Sequence, residues 1–221
     1  DKEIETKLYE GMKSVLGDAS YEEFTENMIQ SRQKVGPSIA DDIKVGAFWA
    51  VILSLIAMAL YILLRFRDIS FSVGTLASVA FTAFSIIGLY SLLYGILPFS
   101  MEMDQSFIAA ILTVIGYSVN DKVVVFDRVR EVIGLYPKRD RGLVINDALN
   151  STLSRTISTS LSTALVLLSI FILGGDTIRS FSFAMLLGVI TGTFSTLFVA
   201  VPIAYEMMKK KFAKLVANEA A

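Results

Sequence analysis

Apolar residues gather along the chain into five long runs: Ile43–Leu64, Ile69–Leu93, Phe107–Phe126, Ile157–Leu173 and Phe181–Tyr205. A helix needs about 20 residues to cross the hydrocarbon of a bilayer, so each run reads as a membrane span. The fourth run is the shortest and its first half is rich in Ser and Thr. It spans only if that polar side faces protein or water. Ahead of the runs, residues 1–42 are polar. Ile4, Leu8, Met12, Val15 and Leu16 recur at helical spacing and predict an amphipathic helix over Glu3–Leu16, ended by Gly17 and Asp18. Phe24–Val35 alternates weakly and reads as extended, stopped by Gly36 and Pro37. One helix and one strand cannot bury a core of their own. Residues 1–42 are therefore expected to be the tail of a larger α+β extramembrane domain, with a disordered leader as the alternative. Glu131–Thr156 is long for a loop in a bundle. Within it Leu143, Val144, Ala148, Leu149 and Leu153 predict an interfacial amphipathic helix over Leu143–Leu153.

Composition agrees with a polytopic membrane protein. The chain is 54% hydrophobic and 19% charged, with a mean hydropathy of +0.61; a soluble domain has about 25% charged residues. It has no cysteine, which excludes disulfides, thiolate nucleophiles and cysteine-held metals, and it has no histidine. Proton chemistry must then use carboxylates, Lys, Tyr or water. No nucleotide-binding loop, metal-ligand spacing or nucleophile–base set is present, so neither a hydrolytic enzyme nor a cofactor or metal is expected. The net charge of −1 says nothing about nucleic acid. The first residue is Asp1, with no basic, apolar leader, so a cut N-terminus and a fragment of something longer are expected.

Loop charge sets the expected orientation. Arg65 and Arg67, the group Arg128, Arg130, Lys138, Arg139 and Arg141, and the tail lysines Lys209, Lys210, Lys211 and Lys214 fall on one side of a five-span arrangement. That side is expected to be cytoplasmic. The opposite loops, Tyr94–Ser106 and Gly174–Ser180, carry almost no basic charge, so residues 1–42 lie outside. The expected division is an outer segment 1–42, a helix bundle 43–211 and a cytoplasmic tail 212–221.

Polar residues inside the third run raise the question of function. Asn120, Asp121 and Lys122 interrupt it where a span should still be apolar, and an ionisable residue there is a functional-site hypothesis by default. At about 1.5 Å per residue from Phe107, Asp121 lies roughly 20 Å into the span, in its cytoplasmic half. A carboxylate stripped of water at that depth can exchange a proton, and a cation at a switchable distance would couple that exchange to shape. Lys122 points about 100° away on the helix and is expected to snorkel to the headgroups. Arg155, just before the fourth run, is read either as the partner of Asp121 or as an ordinary boundary arginine. Ser151, Thr152, Ser154, Thr156, Ser158, Thr159, Ser160, Ser162 and Thr163 surround it, too many hydroxyls for a lipid-facing surface. Ser118, Asn120, Ser154, Thr156, Ser158 and Thr159 are the candidate supporting polar groups, with Asn120 expected to hold Asp121. Gly188 and Gly192 form a GxxxG pattern and, with Gly116, are candidate helix-packing positions; Gly74 and Gly88 are weaker cases.

At this point the residues resemble a known family. Val114–Glu131, VIGYSVNDKVVVFDRVRE, is similar to the signature of SecF, the smaller half of the bacterial SecDF protein-export complex. Val35-Gly36-Pro37, the Ser151–Ser160 stretch with Arg155, and Gly174-Gly175 resemble the family in the same order, so the likeness runs from about Val35 to Lys211. It implies an all-α polytopic bundle, half of an RND-type transporter, with the first of six helices and most of the periplasmic domain missing. It further implies an auxiliary subunit of the Sec translocase in the cell inner membrane, driven by the proton-motive force, with Asp121 and Arg155 as proton-relay residues. The implied partners are SecD (a separate chain or a fused half), the SecYEG translocon, preproteins and membrane lipids, with YajC and YidC as further candidates. A third relay aspartate would come from SecD. Lys122 departs from the family pattern, in which Thr or Ser is common. Two other readings stand beside this one: an RND-type proton-coupled exporter of small molecules or lipids, and a purely structural helix bundle.

Overall fold

A computed structural model of the chain describes residues 2–16, 20–25, 37–97, 99, 101, 103–137 and 139–219. The chain divides into two compact units, Asp1–Lys44 and Val45–Ala221. In the first unit, α1 (Lys2–Leu16) forms as its apolar spacing predicts and α2 (Tyr21–Glu23) is a single turn. Tyr9 of α1 packs edge-on against Tyr21 and at a tilt against Phe24, with ring centroids 5.5 and 5.6 Å apart. Phe24 and Thr25 prolong α2 helically instead of starting a strand. The Phe24 N–H donates to the Ser20 carbonyl at 2.9 Å and the Thr25 hydroxyl to the Tyr21 carbonyl at 3.0 Å. The rest of the expected strand lies outside the described residues.

Five helices long and apolar enough to cross a membrane follow. They are α3 (Pro37–Phe66), α4 (Ile69–Leu93), α5 (Gln105–Leu135), α6 (Arg141–Leu173), and α7 (Asp176–Ser195) continued through a π-helical turn, Thr196–Ala200, into α8 (Val201–Glu219). Side-chain caps mark three of the starts. Asp68 accepts from the Ser70 N–H, Asp104 from the Phe107 N–H, and Asp140 from the Gly142 and Leu143 N–H groups. Each aspartate satisfies donors that a helix start leaves unpaired. Arg67, at φ 53°, makes the tight reversal between α3 and α4.

The connection between α5 and α6 departs from expectation. The separate interfacial helix Leu143–Leu153 does not exist: α5 runs on to Leu135, and Arg141–Leu173 is one helix of 33 residues, about 50 Å long. The reason lies in its buried face. Val144, Ala148, Thr152, Thr156 and Ser160 follow one another at four-residue intervals and are all buried. The apolar stripe and the hydroxyl stripe are one continuous face.

The fifth span bends its hydrogen bonding just before Pro202. The Val201 N–H donates to the Thr196 carbonyl, five residues back. Pro202 has no N–H to give, and the wider turn accommodates that loss.

α5 sits at the centre, packed on α4, α6, α7 and the π-helical turn. The bundle buries an apolar core that includes Ile62, Phe71, Ile86, Phe107 and Phe126, and sets a row of small polar residues beside it. Ser70, Ser72, Thr75, Ser78 and Thr82 of α4 are buried, whereas Leu64, Phe84 and Leu173 are 76%, 75% and 85% exposed. Small and hydrogen-bonding residues are common where membrane helices meet. Ser195 ties α7 to α4, bonding to the hydroxyls of Ser78 at 2.9 Å and Thr82 at 2.8 Å. Tyr90 donates to the Ser180 carbonyl at 2.6 Å. Close approach depends on glycines. A methyl group at Gly74 would strike the Ala200 carbonyl, and one at Gly188 would overlap Val114. Gly192 lies against Ser118. Gly116 and Gly88 have nothing within 4 Å, so the packing role expected of Gly116 is not found.

Candidate proton site

The helix that was most interrupted by polar residues is the one that the fold buries most. Helix α5 continues through Asn120, Asp121 and Lys122 without a break. Asp121 is 7% exposed and Lys122 is fully enclosed, and these are the only charged residues in the core among those described. The Asp121 Oδ2 faces α6, where the Ser160 hydroxyl donates to it at 3.4 Å. Ser160 in turn lies 2.6 Å from the Thr193 hydroxyl of α7, which reaches the Val189 carbonyl at 2.9 Å. Three helices thus meet at one carboxylate and two hydroxyls.

This file can carry hydrogen bonds in either direction. With Asp121 ionised, Thr193 donates to Ser160 and Ser160 to the carboxylate. With Asp121 protonated, the carboxyl can donate to Ser160, Ser160 to Thr193, and Thr193 to the Val189 carbonyl. Each hydroxyl has one donor and two acceptor sites, so both orders keep the hydroxyls hydrogen-bonded. A change of protonation is therefore accommodated by turning hydroxyls, and it reaches α6 and α7 directly.

Other predicted residues take different places. Lys122 does not snorkel. Its ammonium folds back along α5 and donates to the Ser118 carbonyl at 3.0 Å and the Ser118 hydroxyl at 2.8 Å. Buried helices on every side leave it no path to a headgroup, and the backbone one turn back offers acceptors. Ser118 thus serves Lys122, not Asp121. Arg155 is exposed on α6, and among the described residues it makes no ion pair with Asp121.

Asn120 does not hold Asp121 either. It is exposed and shares with Tyr117, Ser158, Thr159, Ser162 and Thr163 an open groove of ≈ 410 Å³ along the α5–α6 seam. Tyr117 and Thr163 join hydroxyls at 2.9 Å there. Ser154 is exposed; Thr159 donates to the Arg155 carbonyl at 2.9 Å. Thr156 is buried one turn from Ser160, and among the described residues its hydroxyl has no hydrogen-bond partner. Sequence reasoning missed the parts played by Ser160 and Thr193. The available signal was the four-residue interval Thr152–Thr156–Ser160, which marks a single helix face.

Comparison with known proteins agrees with the resemblance. The family model described as "Protein export membrane protein SecD/SecF, C-terminal" matches residues 16–210. The protein translocase subunit SecF of Rhodothermus marinus is 40% identical over 180 residues, covering 81% of this chain and 58% of that protein. The SecF subunit of Petrotoga mobilis is 38% identical over 201 residues, covering 90% of this chain and 64% of its own. The chain thus spans roughly three-fifths of the length of these relatives. Among solved structures, a crystal structure of SecDF in its super-membrane-facing form matches 89% of this chain and 26% of its own, at 32% identity and a TM-score of 0.71. That of SecDF from Thermus thermophilus, described as a translocon-associated membrane protein, matches 79% of this chain and 23% of its own, at 38% identity and the same TM-score of 0.71.

Proposed function

Since the chain belongs to the SecD/SecF C-terminal family of protein export membrane proteins, we propose that it is part of an auxiliary subunit of the Sec translocase. In this reading the proton-motive force drives late preprotein translocation across the cytoplasmic membrane, with Asp121 and Arg155 on the proton path. One observation carries it: a carboxylate buried inside a membrane-spanning helix, hydrogen-bonded through Ser160 to Thr193. An ionisable group inside a membrane span is costly, and for that reason it marks a candidate functional site.

Residues 1–42 then belong to a periplasmic domain, 43–211 to the membrane bundle and 212–221 to the cytoplasm. A proton arriving from the periplasmic side neutralises Asp121. Its attraction to Arg155, five residues from Ser160 on α6, weakens. The hydroxyl file reverses, α5, α6 and α7 repack, and the movement passes to the periplasmic domain. The partners of this cycle are SecD, as a separate chain or fused half, and the SecYEG channel with its preprotein.

The test is Asp121→Asn in the full-length subunit with its partner. Preprotein translocation should fall to the level seen without a proton gradient, at normal expression. Undiminished gradient stimulation in the Asn variant would sink the reading.

A further inference from the structure

Lys122 is fully enclosed in the core, and the proton path proposed above makes no use of it. Its ammonium is clamped by the Ser118 carbonyl and hydroxyl at 3.0 and 2.8 Å. Ser118 stands three residues before Asp121 and four before Lys122, so the three occupy adjoining positions on one turn of α5. Helix α7 closes the other side of Ser118, since a Cβ at Gly192 would stand 3.0 Å from the Ser118 Cβ. Among the described residues no carboxylate is in ion-pair contact with Lys122. A buried ammonium held only by neutral oxygens is expensive, and Asp121, the next residue along, is the only other charged residue buried in the core among those described.

Beside the Asp121 carboxylate stands the Ser160 hydroxyl, and the Thr193 hydroxyl follows it at 2.6 Å from Ser160. These are hard oxygen ligands, the kind that hold small metal cations. An ionised carboxylate in such a place calls for one positive charge nearby, and Lys122 supplies it as a tethered group. A proton needs neither room nor further ligands, because it forms an O–H bond. A sodium ion needs both, and it would enter beside an ammonium in a dry interior, where like charges repel far more than in water.

We propose that Lys122 is the resident cation of the Asp121 site: its clamped ammonium fills the role that an alkali-metal ion would otherwise take, so the site exchanges protons and rejects sodium. This rests on the proton-site reading of Asp121 and adds the ion selectivity of that same site.

Carbodiimide labelling of Asp121 tests it in native membranes holding the full-length subunit and its partner. The reagent attacks protonated carboxyl groups, and protection by sodium chloride relative to choline chloride reports sodium binding. Sodium should leave labelling of the wild-type protein unchanged. In Lys122→Thr, which leaves a hydroxyl, and in Lys122→Met, which keeps the volume of the stem without its charge, sodium should suppress labelling. Sodium protection of the wild-type protein overturns the proposal, whether or not the variants reach the membrane. Labelling of both variants that ignores sodium also overturns it. Failure of Asp121 to label at any pH, in any form, defeats the proton-site reading itself, which separates the two failures.

Discussion

Asp121 and Ser160 show how few atoms join a buried carboxylate to the packing of two neighbouring helices. Ser160 is the residue that couples the carboxylate to α6 and α7 at once. Ser160→Ala should break the hydroxyl file while leaving Asp121 in place. The expected cost is about 1 kcal/mol of bundle stability, the usual net value of one hydrogen bond. Gradient-driven translocation should weaken without being abolished, and Ser160→Thr should restore it; a full assay of gradient response in both variants checks this. The carboxylate was legible in the sequence because charge inside an apolar run is conspicuous. Its surroundings were not. Lys122 looked like a snorkelling residue because hydropathy says nothing of which helices close around a position. Asn120 looked like a support because it is adjacent in sequence, yet successive residues on a helix face different ways.

At the scale of elements, glycine spacing separates contacts from coincidence only once the faces are known. Gly188 lies against Val114 where α7 meets α5, whereas Gly116 on α5 faces open space. Gly188→Ala should therefore strain the α5–α7 contact, with a cost of about 1–3 kcal/mol typical of overpacking. Gly116→Ala should be neutral or slightly stabilising. Thermal unfolding of the two variants in detergent measures the difference, and equal losses would contradict the packing described. The five spans themselves were legible from apolar length. The start of α6 was not, because Gly134, Pro137 and the basic cluster look like a long loop. The cap at Asp140 and the stripe from Val144 to Ser160 instead make a single helix.

At the scale of the whole molecule, the bundle buries hydroxyls and the neighbouring Asp121 and Lys122 within a largely apolar core, and leaves many further large apolar side chains exposed on its surface. Of the Ser/Thr stretch on α6, Thr152, Thr156 and Ser160 are buried, whereas Ser151, Ser154, Ser158, Thr159 and Ser162 are exposed. Five spans also match part of a longer architecture, as the coverage of the SecF relatives shows. The central claim is that Asp121 carries the coupling proton. Proton flux is its most direct measure: proteoliposomes holding the full-length subunit and its partner, loaded with a pH-sensitive dye, are exposed to an imposed proton gradient. The wild-type protein should acidify the lumen and Asp121→Asn should not. Equal flux through the two would contradict the account.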